Sequence, residues 1–184
     1  MERRAVRVLS RRYALTATGY KFLEIGINVG PPSYVEIVVG DNRGNEMILS
    51  LETWRKFYEQ RWNIQKFLRN DHKDTSSSMS IGPLTISACA INNVKLVRLE
   101  SLNVRLMMTE STLFSMFNLD RCIYLVFEQL FKNVGSVDVK FTQFSHIAST
   151  ATDPKEVPNM IRVSDAFDKH QLIDCELLAL VFST

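Results

Sequence analysis

The chain is predicted to fold as an α+β protein made of tandem antiparallel sheet-plus-helix units. The order is strands then helix, twice, followed by a C-terminal strand and a further helix. Three observations predict this. First, residues 48–68 (ILSLETWRKFYEQRWNIQKFL) and 105–125 (RLMMTESTLFSMFNLDRCIYL) both begin as a strand end and run directly into a helix. Second, in each an apolar residue (Leu49, Leu106) is followed two positions on by another (Leu51, Met108), and then six further on by Phe (Phe57, Phe114). Third, short β-prone stretches precede each junction. An offset of 57 aligns the Leu/Met and Phe positions, whereas an offset of 59 aligns the capping residues Ser50 and Thr109.

In chain order, Tyr20–Val29 reads as a strand ending at the Gly30-Pro31-Pro32 break. Tyr34–Val39 is β-rich, and the Gly and Asn residues of Asp41–Asn45 suit a turn. Met47–Leu51 completes the hairpin, after which Ser50 caps a helix with Glu52 in its first turn, where the dipole favours an acid. Trp54, Tyr58 and Trp62 form an aromatic stripe on that helix, expected in the core, with Phe57, Ile64 and Leu68 beside it. Residues 69–80 lack apolar periodicity and read as a solvated linker. Strands resume at Ile81–Ile91, Val94–Leu99 and Leu102–Met107, with Asn92-Asn93 as a tight turn. A second helix over 109–132 is apolar around most of its circumference and is expected to be buried. Val137–Phe144 alternates apolar and polar and predicts a strand. The segment from Asp165 to Thr184 favours helix.

At 184 residues, with 46% hydrophobic and 23% charged residues, the chain can bury a full core. The expected organisation is a basic arginine arm at 1–12 and one compact domain over 13–184. That domain comprises pseudo-repeats 13–69 and 79–133 and an extension, 134–184. Cys89, Cys122 and Cys175 are odd in number, widely spaced and set in apolar stretches, so they read as reduced core residues. The expected location is nuclear or another reducing intracellular compartment, organelles included; the arm's composition also resembles a transit peptide. No apolar run is long enough to span a membrane.

The sequence carries no nucleophile elbow, phosphate-cradling glycine loop or dinucleotide fingerprint. His72, His146 and His170 have no ligand-type neighbours at metal-binding spacing. No catalytic residue, metal or cofactor is therefore expected. What the sequence offers is cations and aromatics. Net charge is only +2, yet Arg3, Arg4, Arg7, Arg11 and Arg12 crowd the first 12 residues, leaving the remainder slightly acidic. Tyr13, Lys21, Arg43, Lys95, Arg98 and Arg105 follow along or between the strands. Cations that hold phosphates and aromatic faces that stack bases are the means of binding single strands. These eleven residues are the candidate nucleic-acid-binding set.

The stretch from Val104 to Phe114 (VRLMMTESTLF), a last strand ending apolar-x-apolar-Thr and entering an apolar helix, resembles the Whirly and transcriptional-coactivator type of single-stranded DNA-binding fold. Ile48–Trp54 (ILSLETW) looks like the corresponding junction of the first half. Of the Lys-Gly-Lys-rich strand of plant Whirly proteins, Thr18–Leu23 keeps Gly19 and Lys21. The resemblance spans about residues 13–133 as an order of elements. It implies binding of single-stranded DNA, or RNA after it, across the sheets, with homo-oligomerisation through the apolar helix 109–132, no membrane and no catalysis. A role in transcription or genome maintenance would follow. Two other readings stay open: a viral or structural assembly subunit using the arginine arm, and a protein-interaction adaptor.

Overall fold

A computed structural model describes residues 6–69 and 78–183. Strands β1 (Arg7–Ala14), β2 (Lys21–Asn28), β3 (Tyr34–Asp41) and β4 (Glu46–Leu49) form a four-stranded sheet in sequence order. The chain then enters helices α1 (Leu51–Glu59) and α2 (Arg61–Arg69). The order repeats: β5 (Ser78–Ile81), β6 (Leu84–Ile91), β7 (Val94–Ser101) and β8 (Val104–Met108) form a second four-stranded sheet. Helices α3 (Glu110–Phe117) and α4 (Asp120–Phe131) follow. The strands-then-helix unit thus occurs twice in an α+β fold of antiparallel sheets. Beyond it lie α5 (Val134–Ser149), a 3₁₀ turn (Pro154–Glu156), α6 (Val157–Arg162), α7 (Leu172–Leu177) and a π-helical turn (Leu178–Phe182).

The two strand-to-helix junctions share one chemistry. Ser50 and Thr109 both hold extended backbone, with φ/ψ of −71/159° and −71/158°. The Ser50 hydroxyl accepts from the Thr53 N–H at 3.1 Å, and that of Thr109 accepts from the Thr112 N–H at 3.2 Å. Each cap also pairs its hydroxyl with that of the same threonine, at 3.0 and 2.9 Å. One otherwise orphaned helix donor is satisfied at each site. The strand registers match as well. Ile37 lies opposite Leu49 and Val39 opposite Met47 in one sheet; Val97 lies opposite Met108 and Leu99 opposite Leu106 in the other. An offset of 59 therefore relates caps and final strands together. At the Asn92-Asn93 turn both φ values are positive, 50° and 63°, the mirror-image geometry that suits a two-residue hairpin.

The chain divides into two compact units. One comprises Arg12–Ile25 and Glu36–Tyr124. At its centre the first helices of the two repeats meet through aromatic rings: Phe57 and Phe117 are 4.8 Å apart, edge to face. Trp54, Tyr58 and Phe114 add further contacts to Phe117. Trp54 is buried and donates its Nε1–H to Asp120 at 2.8 Å, so its polar handle has a partner. Final strands β4 and β8 pack beside each other.

The other unit comprises the described residues of Met1–Arg11, with Gly26–Val35 and Leu125–Thr184. Its core gathers Val137, Phe144, Ile161, Leu177 and Leu178, and Phe182 packs against both Phe141 and Phe144. Lys140 ties the C-terminal turn, reaching Asp174 at 3.1 Å and the Ala166 carbonyl at 2.6 Å. Leu9 sits at φ 53° within β1, and its N–H donates to Glu176. At Gly26 a Cβ would fall 2.8 Å from Ser10 Cβ, so only glycine admits this close approach.

Several expectations require correction, among them the cysteines read as core residues: Cys122 is exposed, and Cys89 and Cys175 are half-buried. The expected arginine arm becomes strand from Arg7 onward, because Val8 is fully buried and pins the segment to a core. Val137–Phe144 is helix, within α5. Its alternation coincides with a helical pattern, since Val137 and Phe144 are buried seven residues apart while Val139 is 56% exposed. The helix expected over 109–132 breaks at Asn118-Leu119, and its second half, α4, leaves Tyr124, Leu125 and Phe131 exposed. Ser78–Ser80, expected in the linker, already belong to β5, while residues 70–77 lie outside the described set.

Replacing Ser50 or Thr109 by Ala is expected to cost about 1 kcal/mol each. Urea unfolding of the two variants should give similar losses; a large loss at one junction and none at the other would contradict their equivalence.

Candidate nucleic-acid interface

Candidate cations lie on both sheets, but the sheets differ in what they leave open. In the first sheet β2 is buried from Lys21 to Ile27 and β3 from Glu36 to Asp41. Continuous burial means that both faces of these strands are covered. In the second sheet burial alternates, so one face meets the core and the other remains open.

The registers map that open face row by row. One row reads Ser78, Ser87, Arg98, Met107; the next reads Ser80, Thr85, Glu100, Arg105. Towards the Asn92-Asn93 turn the face becomes apolar, with Cys89 opposite Leu96 and Ile91 opposite Val94. Arg105 Nε lies 3.0 Å from Glu100 Oε1, and Arg98 Nε lies 3.6 Å from the same oxygen. One half-exposed carboxylate is thus shared by two guanidinium groups. At its longer distance Arg98 Nε makes no hydrogen bond and is closed to solvent. The result is a patch of hydroxyl donors with an excess of positive charge, suited to phosphate oxygens.

The other candidates scatter. Arg3 and Arg4 lie outside the described residues. Arg7 is buried. Arg12 is occupied: its guanidinium stacks 3.8 Å from the Phe22 ring centre and its Nε donates to Glu24 at 3.1 Å. Phe22 in turn lies across Gly40, where a Cβ would come within 2.7 Å of the ring. Arg11 is exposed and Tyr13 half-buried on β1. Lys21 is buried and ion-paired with Asp41 at 3.7 Å, so it is a structural cation. Arg43 is exposed in the β3–β4 turn. Lys95 is exposed but sits in register with Ala90, on the opposite side from Arg98 and Arg105. Among the described candidates, Arg98 and Arg105 come together on the open face of the second sheet.

Sequence reasoning missed Ser78, Ser80, Thr85, Ser87 and Glu100, which complete the patch. The signal for them was the alternation itself: Thr85 and Ser87 in TISACAI fall on one parity, as do Arg98 and Glu100 in LVRLE. Elsewhere, a cavity of about 510 Å³ opens between β1 and helices α4 and α7, with Leu9, Arg11, Leu125, Leu130, Leu172 and Glu176 among its walls. No metal-binding cluster of His, Cys, Asp and Glu occurs among the described residues. No helix among them is long and apolar enough to cross a membrane. No protein-family model, curated protein or solved structure matches the chain.

Asp41 organises the turn that presents Arg43. Its Oδ1 accepts from the backbone N–H groups of Arg43 and Asn45, at 2.9 and 3.1 Å, and its Oδ2 accepts from Asn45 Nδ2 at 2.9 Å. Burial works to raise the Asp41 carboxyl, but these bonds and the Lys21 ammonium outweigh it and hold it below its ordinary value. A carboxyl that titrates lower when folded stabilises fully at neutral pH and loses that contribution as pH falls through the carboxylate range, below about 4. Asp41→Asn is expected to cost about 1 kcal/mol at neutral pH. Urea titrations at neutral and acid pH should show the gap from the parent closing in acid; a constant gap would rule this account out.

Proposed function

We propose that the chain is a non-enzymatic single-stranded nucleic-acid-binding protein that holds the strand's backbone on the open face of its second sheet. The observation carrying this reading is the juxtaposition there of Arg98 and Arg105 with Ser78, Ser80, Thr85 and Ser87. The doubled strands-then-helix order supports it, because that is the order in the Whirly-type resemblance of the two junctions. Those two polar rows contain no aromatic ring, so they provide phosphate and sugar contacts rather than stacking. Binding through such a surface depends steeply on salt.

Anisotropy with labelled single- and double-stranded oligonucleotides tests the reading. Single-strand preference is expected. The double variant Arg98→Ala/Arg105→Ala should reduce the slope of log affinity against log salt by about 1.4, at roughly 0.7 for each phosphate no longer neutralised. Glu100→Gln should act oppositely, freeing both guanidinium groups and raising affinity severalfold. Unchanged binding in both variants would remove the sheet face from the proposal.

Self-association through α4 belongs to the same proposal, supported by its exposed Tyr124, Leu125 and Phe131 and by the stacking of Phe131 on Phe127 at 6.3 Å. Phe131→Asp is expected to lower the molecular mass seen in sedimentation; an unchanged monomer before and after would refute it.

A further inference from the structure

The aromatic spacing 54/58/62 reads as a core stripe, yet its three members have different fates. Trp54 is 1% exposed, Tyr58 half-buried and Trp62 61% exposed. The buried line of this segment is Phe57, Ile64 and Leu68. Trp62 stands two residues from Ile64, about 200° around a helix, and therefore points away from the core. A Trp on the outside is a large apolar surface, here left largely open by the described residues.

Its surroundings say what could cover it. Lys66 and Arg69 follow at four and seven residues, both exposed, so Trp62, Lys66 and Arg69 share one stripe along α2. That stripe is about 10 Å long, the rise of about three stacked nucleotides at ~3.4 Å each. Arg61 braces the ring: its guanidinium lies 5.2 Å from the Trp62 ring centre and 4.0 Å from that of Tyr58, and it donates to the Tyr58 carbonyl at 3.0 Å. Bracing lowers the rotamer entropy lost when a ligand lands on the ring. Lys95, on the far side of its sheet from Arg98, lines a small cleft with Leu68 and Glu110 at the end of α2. Among the described residues, the acids nearby are Glu59, one turn before Trp62, and Glu110, 3.7 Å from Arg69 in a pair whose side chains are 68% and 37% exposed. Phosphate can displace such a screened contact.

We infer that Trp62 is a base-stacking platform, with Lys66, Arg69 and Lys95 taking the flanking phosphates of a single-stranded nucleic acid. Cations at helical spacing from an exposed indole match a polyanion that carries flat π-faces, and stacking of this kind tolerates any base. The inference rests on the single-strand-binding reading and adds the aromatic contact that the open sheet face lacks. It also accounts for Lys95, which the face containing Arg98 and Arg105 leaves out.

The chain's two tryptophans make the test direct. Oligo(dT) is titrated into the full chain while intrinsic fluorescence is followed, with affinity read separately by anisotropy. Quenching is expected in the parent and should vanish in Trp62→Phe, which leaves only the buried Trp54. Trp62→Ala should weaken binding about tenfold, and Lys66→Ala/Arg69→Ala should flatten the salt slope while quenching at saturation persists. Folding of each variant is checked by its urea midpoint, which an exposed residue should barely move. Oligonucleotide binding without quenching, and unaffected by Trp62→Ala, would overturn this site while leaving the sheet-face proposal standing. No single-strand binding by the parent would overturn both. A blue shift of Trp62 emission with phosphatidylserine vesicles, without quenching by oligonucleotide, would assign the patch to a lipid surface and overturn the inference.

Discussion

The contact of Phe57 with Phe117 is the constraint on which the repeat architecture depends. Each sheet-plus-helix unit has an apolar helix face and an apolar sheet face, and neither alone encloses enough surface to be stable. Bringing α1 against α3 joins the two repeats through one aromatic cluster, where Trp54 finds a partner for its indole N–H in Asp120. Truncating rings of this kind typically costs about 3–5 kcal/mol, a large share of a domain's net stability. The matched caps at Ser50 and Thr109 serve the same end, since they set where each sheet stops and the helix that must reach the cluster begins.

Two sheets of the same order do not provide the same surface. β2 and β3 carry Glu24 and Glu36 in buried positions, and Arg12 and Lys21 are held by carboxylates. Charges paired in this way maintain the fold and are unavailable to a ligand. The second sheet keeps Arg98 and Arg105 on a face that water reaches, competing for one glutamate.

Much of the fold is legible in the sequence because its signals are local. Cap chemistry marks Ser50 and Thr109, Asn92-Asn93 marks a hairpin, and alternation locates most strands. One failure comes from a short pattern that satisfies two periods. Val137, Phe141 and Phe144 fit a helix at spacings of four and three, while Val137, Val139 and Phe141 fit a strand; only packing decides, and Val139 lies outside. Spacing from Tyr58 assigns Trp62 to the core, although Ile64 and Leu68 already define the buried line. In the candidate site, residue type identifies the cations, but their grouping needs the strand register. A set of eleven basic and aromatic residues cannot say that Arg98 and Arg105 share a face while Lys95 takes the other.

The positive φ at Leu9 has a bearing on behaviour at high concentration. β1 forms one border of the first sheet, and a bordering strand ordinarily offers a row of free backbone donors to any other chain. Here the backbone turns to positive φ at Leu9, whose N–H is already taken by Glu176. The regular ladder that an incoming strand would need is interrupted within the border's first half. Growth of fibres by strand addition at this border is thereby disfavoured.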